Sequence, residues 1–207
     1  MLCIVDYGAG NLCSVELAFR RLGIPCQVSA DPAVLARASR IVFPGVGAAG
    51  SAMRELRSRQ LADAIRQAAA EKPFLGICLG TQIILESSEE DGGVPCLGIV
   101  PGACPRFRFP EGVRATVPHM GWNAVCRSRE HALFAEIPQD ANFYFVHSYF
   151  PQPQEASDIL AVTEHGGLRF CSAIARGRLV ATQFHPEKSG RFGLQVLANF
   201  AEWDGRS

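Results

Sequence analysis

A cysteine becomes a nucleophile when the chain holds it out on a tight turn. Gly76-Ile77-Cys78-Leu79-Gly80 offers that setting, where the apolar run 74–77 passes directly into helical sequence. Glycines two before and two after the cysteine leave room for the turn to close. The sulfur also falls at a helix N-terminus, where the peptide dipoles favour thiolate over thiol. A thiolate nucleophile needs a base, and Gln183-Phe184-His185-Pro186-Glu187 supplies one at the end of a strand-like run. Pro186 biases His185 toward an extended backbone, and extended residues two apart point to the same side. Glu187 can therefore reach the His185 ring, fix its tautomer and stabilise the imidazolium. Pro44-Gly45-Val46-Gly47 follows the apolar run 40–43 and offers backbone N–H groups to a developing oxyanion. Together these residues fit acyl transfer through a covalent intermediate, with Cys78 as nucleophile, His185 as base and Glu187 as its orienting group.

Taken singly, each feature has a plainer reading: a cysteine packed between glycines, a strand-end histidine beside a solvated glutamate, and a Pro-Gly turn. Asp6-Tyr7-Gly8-Ala9-Gly10-Asn11 places a Gly-x-Gly after the first strand, but Cys13 stands where a dinucleotide fingerprint needs its third glycine. His119 and His147 read as structural, since the triad already has its base. Trp122 suits a core as well as an interface.

The scaffold that must position these residues is legible as alternating elements. Apolar runs at 2–6, 24–28, 40–43 and 74–77 read as strands. Between them, helical spacing of Leu12, Val15, Phe19 and Leu22 ends at Gly23, and helices follow at 32–38, 52–70 with a break near Ser58, and 79–86. Strands alternating with helices argue for a parallel sheet covered on both faces. Beyond Glu86 the strand-like runs 98–100, 113–117, 142–149, 159–163, 171–175 and 179–184 predict antiparallel pairing, and 192–203 predicts a closing helix. The expected fold is α/β: one domain over 1–207, with a mixed, mostly parallel central sheet flanked by helices and a more antiparallel C-terminal half.

The chain has 207 residues, with 20 Lys plus Arg balanced by 20 Asp plus Glu, so no basic footprint for nucleic acid exists. The opening Met-Leu-Cys-Ile-Val-Asp-Tyr lacks a basic segment before its apolar run, and the longest apolar stretch, 74–85, is too short to span a bilayer. The eight cysteines are dispersed, with no Cys-x-x-Cys and no spacing suited to zinc. A soluble protein of the reducing cytoplasm is expected, without metal.

These motifs, in this order, make the chain resemble the class I glutamine amidotransferases that carry a Cys-His-Glu triad. The likeness runs over essentially all 207 residues, from Asp6–Leu12 through the segments around Gly45, Cys78 and His185, and includes Phe145-Val146-His147-Ser148-Tyr149. Pro118-His119-Met120-Gly121-Trp122-Asn123 and His185-Pro186-Glu187-Lys188-Ser189 are most similar to glutaminase subunits of imidazole glycerol phosphate synthases. The resemblance implies hydrolysis of glutamine to glutamate and ammonia through a thioester on Cys78, without a cofactor. It implies an oxyanion hole from Gly47 and the Leu79 N–H, and glutamine held by Gln82 and the backbone around Ser148 and Tyr149. It further implies a heterodimer with a separate (β/α)8 cyclase, a barrel this chain is too short to contain. The cyclase would use the ammonia to make imidazole glycerol phosphate and AICAR from PRFAR in histidine biosynthesis, with Asn11, Trp122 and Lys188 near the interface. Activation by partner and ligand is implied too, with the Gly45–Gly47 peptides as the expected switch. Thr81 stands where the family often has Met, and Thr116 where a basic residue is common. Two other readings stay open: a glutaminase serving another synthase, such as that of vitamin B6, and a catalytically silent binding module.

Overall fold

Short strands buried on both faces set the architecture. In a computed structural model that describes residues 1–8 and 11–206, Leu2–Val5 forms β1, buried on both sides. Leu2 and Ile4 pack into one core and Cys3 and Val5 into another. Ala9 and Gly10 of the first glycine motif lie outside the described residues. The chain continues through α1 (Leu12–Arg21), β2 (Cys26–Ser29), α2 (Pro32–Arg37), β3 (Arg40–Gly45), α3 (Ala49–Ser58), α4 (Leu61–Glu71), β4 (Phe74–Cys78) and α5 (Leu79–Ile83). Then come the short strands β5 (Ser87–Ser88), β6 (Val94–Pro95) and β7 (Gly102–Cys104), followed by β8 (His119–Ala124), β9 (Cys126–Arg127), β10 (Asn142–His147) and β11 (Gln152–Pro153). The last elements are β12 (Ile159–His165), β13 (Leu168–Arg176), β14 (Leu179–Thr182) and α6 (Gly190–Glu202).

The central sheet has the order β2-β1-β3-β4-β14-β13-β12-β9. Pairing from β2 to β14 is parallel, and β13, β12 and β9 follow antiparallel. One face is covered by α1 and α6 through Val15, Phe19, Val196, Leu197 and Phe200. The other is covered by α2, α3 and α4 through Leu35, Met53, Leu56, Leu61 and Ile65. Such two-sided cover is what the continuous apolar strands require. Two smaller sheets flank this core, the ribbon β8–β10 and the set β11-β7-β5-β6.

The expected class is correct, and several local boundaries move. The helical stretch 52–70 breaks where expected, just after Ser58, with Gln60 in a left-handed backbone, but it begins earlier, at Ala49. The helix expected over 79–86 stops at Ile83, because 98–100 is no strand but a cap. The N–H groups of Leu97, Gly98, Ile99 and Val100 turn back onto the carbonyls of Ile83, Leu85 and Ile84. Nor is 113–117 a strand: Pro110, Gly112 and Pro118 interrupt the run, and pairing starts only at His119.

The architecture puts three strand ends side by side. Gly45 pairs with Cys78 across β3–β4, and Thr182 pairs with Ile77 across β14–β4. The Pro44–Gly47 segment, the cysteine and the segment leading to His185 therefore emerge at one edge, the C-terminal edge where open α/β sheets bind ligands. Close contact is enforced at Gly80, where a Cβ would run into the Phe43 carbonyl oxygen. A backbone oxygen cannot swing aside, so Gly80→Ala should lose about 3 kcal/mol, near the upper end of overpacking costs. Gly177→Ala has open space and only an unfavourable φ, and should lose about 1 kcal/mol. Urea denaturation of both variants checks this; equal losses would contradict it.

Candidate active site

Cys78 closes β4 and caps α5 with φ 53° and ψ −108°, a backbone conformation that L residues rarely adopt. It is the strained turn that the glycine spacing predicts. Gly76 fits because a Cβ there would press on the Ala181 side chain and the Gly80 carbonyl, at 3.1 and 3.3 Å. The helix behind the sulfur is only five residues long, so its dipole is a small contribution.

His185 is reached from β14 and is 1% exposed. Its Nδ1 lies 2.8 Å from Glu187 Oε1. Glu187 stands on a tight 3-10 turn, Pro186–Lys188, rather than on the continued extended chain inferred from sequence; the reach to the ring is the same. Burial alone would depress His185. The sulfur of Cys78 and the carboxylate of Glu187 outweigh it and push the imidazole up to about 10. His185 Nε2 is buried and has no hydrogen-bond partner among the described residues.

A cavity of about 310 Å3 opens over these groups. Cys78, His185, Gly47, Leu79, Gln82, Ser148, Tyr149 and Lys188 all line it. Gly47 has φ +92° with open space where a Cβ would be, whereas a Cβ on Gly45 would meet the Tyr7 hydroxyl and Leu79. Backbone freedom in this loop is thus concentrated at Gly47, and Gly45 is glycine because it is crowded. Gln82 donates from Nε2 to the Tyr149 carbonyl at 2.9 Å. The Ser148 carbonyl accepts from the Phe107 N–H at 3.0 Å. With both carbonyls engaged, this strand end has N–H groups and the Ser148 hydroxyl to offer a ligand.

Asn11, assigned by resemblance to an interface, sits behind the triad and donates from Nδ2 to Glu187 Oε1 at 3.1 Å. Trp122 is 59% exposed on β8 beside Met120 at 61%, not in the core. His119 and His147 are buried and hydrogen-bonded to each other. The Thr81 hydroxyl donates to the Thr182 carbonyl at 2.7 Å, which satisfies a polar group at a fully buried position. Sequence reasoning missed Glu90, which lines the cavity and accepts the Ala49 N–H at 2.6 Å. Burial raises its carboxyl above the ordinary range; the Ala49 bond opposes this and Asp91 adds to it. The acidic run Glu89-Glu90-Asp91 was its only signal, and it reads as solvated surface.

Comparison with known proteins agrees with this geometry. The glutamine amidotransferase class-I family model matches residues 3–203. The imidazole glycerol phosphate synthase subunit HisH of Aromatoleum aromaticum is 50% identical, over 98% of this chain and 98% of the relative. That of Acinetobacter baylyi is 48% identical with the same coverage of both chains. Among solved structures, a glutamine amidotransferase at 18% identity superposes over 97% of both chains with a TM-score of 0.72, a likeness of fold. The chain belongs to the class-I glutamine amidotransferase family and, within it, to the group of HisH subunits.

The raised His185 has a consequence for stability. Its folded value lies above the unfolded one near 6.5, so the stabilisation it brings is complete below about pH 6.5 and is lost as pH climbs toward 10. Urea unfolding at about pH 6.5, 8 and 9.5 should show wild-type stability falling more steeply across that window than that of Glu187→Gln, which keeps the sulfur's pull on the imidazolium and loses the carboxylate's. Parallel pH profiles for the two proteins would contradict the assignment.

Proposed function

We propose that the chain is the glutaminase of an imidazole glycerol phosphate synthase, releasing ammonia from glutamine for a separate (β/α)8 cyclase subunit in histidine biosynthesis. The observation that carries this reading is the convergence of Cys78 and the buried His185–Glu187 pair on one cavity floored by Gly47 and Leu79. Glu90 offers a carboxylate to the α-ammonium of glutamine, and the Ser148 N–H and hydroxyl suit its α-carboxylate.

The thiolate of Cys78 attacks the γ-carboxamide carbon and forms the C–S bond. The oxygen takes up the negative charge and is met by the N–H groups of Gly47 and Leu79; one such donor contributes about 100- to 1,000-fold in rate. His185 delivers its Nε2 proton to the amide nitrogen, the C–N bond breaks and ammonia leaves. Neutral His185 then takes a proton from water, the hydroxide adds to the thioester carbon, and the C–S bond breaks to give glutamate and regenerate Cys78. Glu187, buried and fixed by Asn11, keeps Nδ1 protonated and Nε2 aimed at the reacting atoms throughout.

The docking face for the cyclase is the exposed side of β8. Met120 and Trp122 project there, with Tyr144 against Trp122 at 6.2 Å, and Pro118, Val146 and Lys188 line the cavity beside it. Trp122 pairs with Tyr144, two residues along β10 from the cavity-lining Val146, and a large exposed aromatic so placed has the character of an interface anchor. The eight unbridged cysteines suit a reducing cytoplasm.

Cys78→Ala in the reconstituted heterodimer should abolish synthesis from glutamine while synthesis from added ammonium salts continues. Loss of both activities would overturn the division of labour. Trp122→Ala should weaken association with the cyclase at least about tenfold in a titration, the loss typical of an interface hot spot; unchanged affinity would remove this face from the interface.

A further inference from the structure

Behind the cavity the polar side chains form a hydrogen-bond chain whose direction is fixed by its members. The Tyr149 carbonyl can only accept, so His147, with Nδ1 2.7 Å away, carries its proton on Nδ1. Its Nε2 is then the acceptor for His119 Nδ1, 3.1 Å away. His119 Nε2 in turn accepts from Asn123 Nδ2 at 3.1 Å. Asn123 is oriented independently, because Nδ2 also donates to the Glu164 carbonyl at 2.8 Å and Oδ1 accepts the Ala124 N–H at 2.8 Å. Burial keeps both imidazoles neutral, with His119 lowered to about 4 and His147 to about 3.

On the other side of the same carbonyl, Gln82 donates one Nε2 hydrogen to Tyr149 and the second to Gln183 Oε1 at 3.0 Å. Gln82 therefore presents only its Oε1 to a substrate. Gln183 has its carbonyl end held by Gln82, which leaves its amide nitrogen facing Cys78, with Nε2 3.7 Å from Sγ. The Gln183 side chain is fully buried, so no water competes for that donor.

We propose that Gln183 is a positioning residue for the nucleophile, its amide N–H held on Cys78 Sγ by Gln82, which the acceptor-only Tyr149 carbonyl orients. This rests on the reading of Cys78 as the nucleophile. A donor on sulfur stabilises negative charge developing there and holds Sγ at the cavity that His185 also lines. Because each member has one permitted direction, reversing Gln183 would set its oxygen against the sulfur and its nitrogen against Gln82 Nε2, two repulsive contacts.

Two measurements on the full chain test this. The first is 15N NMR of histidine-labelled protein at pH 7, with resonances assigned by single replacements. His119 and His147 should both show the Nδ1–H tautomer; an Nε2–H tautomer at His147 would contradict the placement of the Tyr149 carbonyl, and with it the orientation of Gln82 on which the proposal rests. The second is the rate of Cys78 alkylation by iodoacetamide at pH 7, read on the Cys78 peptide by mass spectrometry. Gln183→Met should slow it about tenfold, and Gln183→Glu, which puts a carboxylate oxygen against the sulfur, more than that. Should those variants not fold, Gln82→Met, which removes the donor that holds Gln183 Oε1, should slow alkylation likewise, and a wild-type rate there would overturn the proposal. In the assembled enzyme Gln183→Met should lower kcat with KM for glutamine unchanged. Alkylation of Gln183→Met at the wild-type rate overturns the role of Gln183 alone. A wild-type Cys78 that forms no thioester with glutamine overturns the nucleophile reading and this inference with it.

Discussion

The site depends on one close packing contact, the backbone of Gly80 seated against the Phe43 carbonyl. It lets the first turn of α5 lie directly on the end of β3. That contact holds Cys78 in its strained turn and sets the Pro44–Gly47 segment beside the sulfur. β14 on the other side of β4 then has one place to deliver Gln183 and His185. Strain at a functional residue persists only where its surroundings over-determine it, and here two parallel strand pairs and two glycines do so.

Electrostatics builds on that frame. The side chains of His185 and Glu187 are almost completely withdrawn from water, which leaves each dependent on the other. Removing one partner of such a pair costs about 3–5 kcal/mol, because it leaves the other charge buried and unpaired. Asn11, 176 residues from Glu187 in sequence, adds a second donor to Oε1 and so ties the start of α1 to the His185 turn. The imidazolium is therefore kept for the reaction, while the neighbouring histidines are kept neutral by burial and serve as neutral donors and acceptors.

Much of this was legible in sequence because it rests on local rules. The two glycines around Cys78 announce a turn, His185 and Glu187 are close enough along the chain to meet in any compact backbone, and alternating apolar runs announce the sheet. The rest depends on contacts made at long range. Residues 98–100 are as apolar as a strand, yet they serve to cap α5, a role set by where β6 and β7 return. Glu90 and Gln183 carry no local signature, since one is defined by a helix start 41 residues away and the other by Gln82, 101 residues away. Asn11 was placed by resemblance at an interface, and its bond to Glu187 becomes visible only once α1 is packed beside the His185 turn.

The central claim is that glutamine is opened on Cys78 by the buried His185–Glu187 pair. The most direct measurement is to quench the assembled enzyme during turnover of glutamine and map covalent glutamyl groups by peptide mass spectrometry. The account predicts one acid-stable glutamyl thioester, on the peptide containing Cys78, absent from Cys78→Ser and sharply reduced in His185→Ala. Glutamate release with no such adduct, or an adduct on another cysteine, would contradict it.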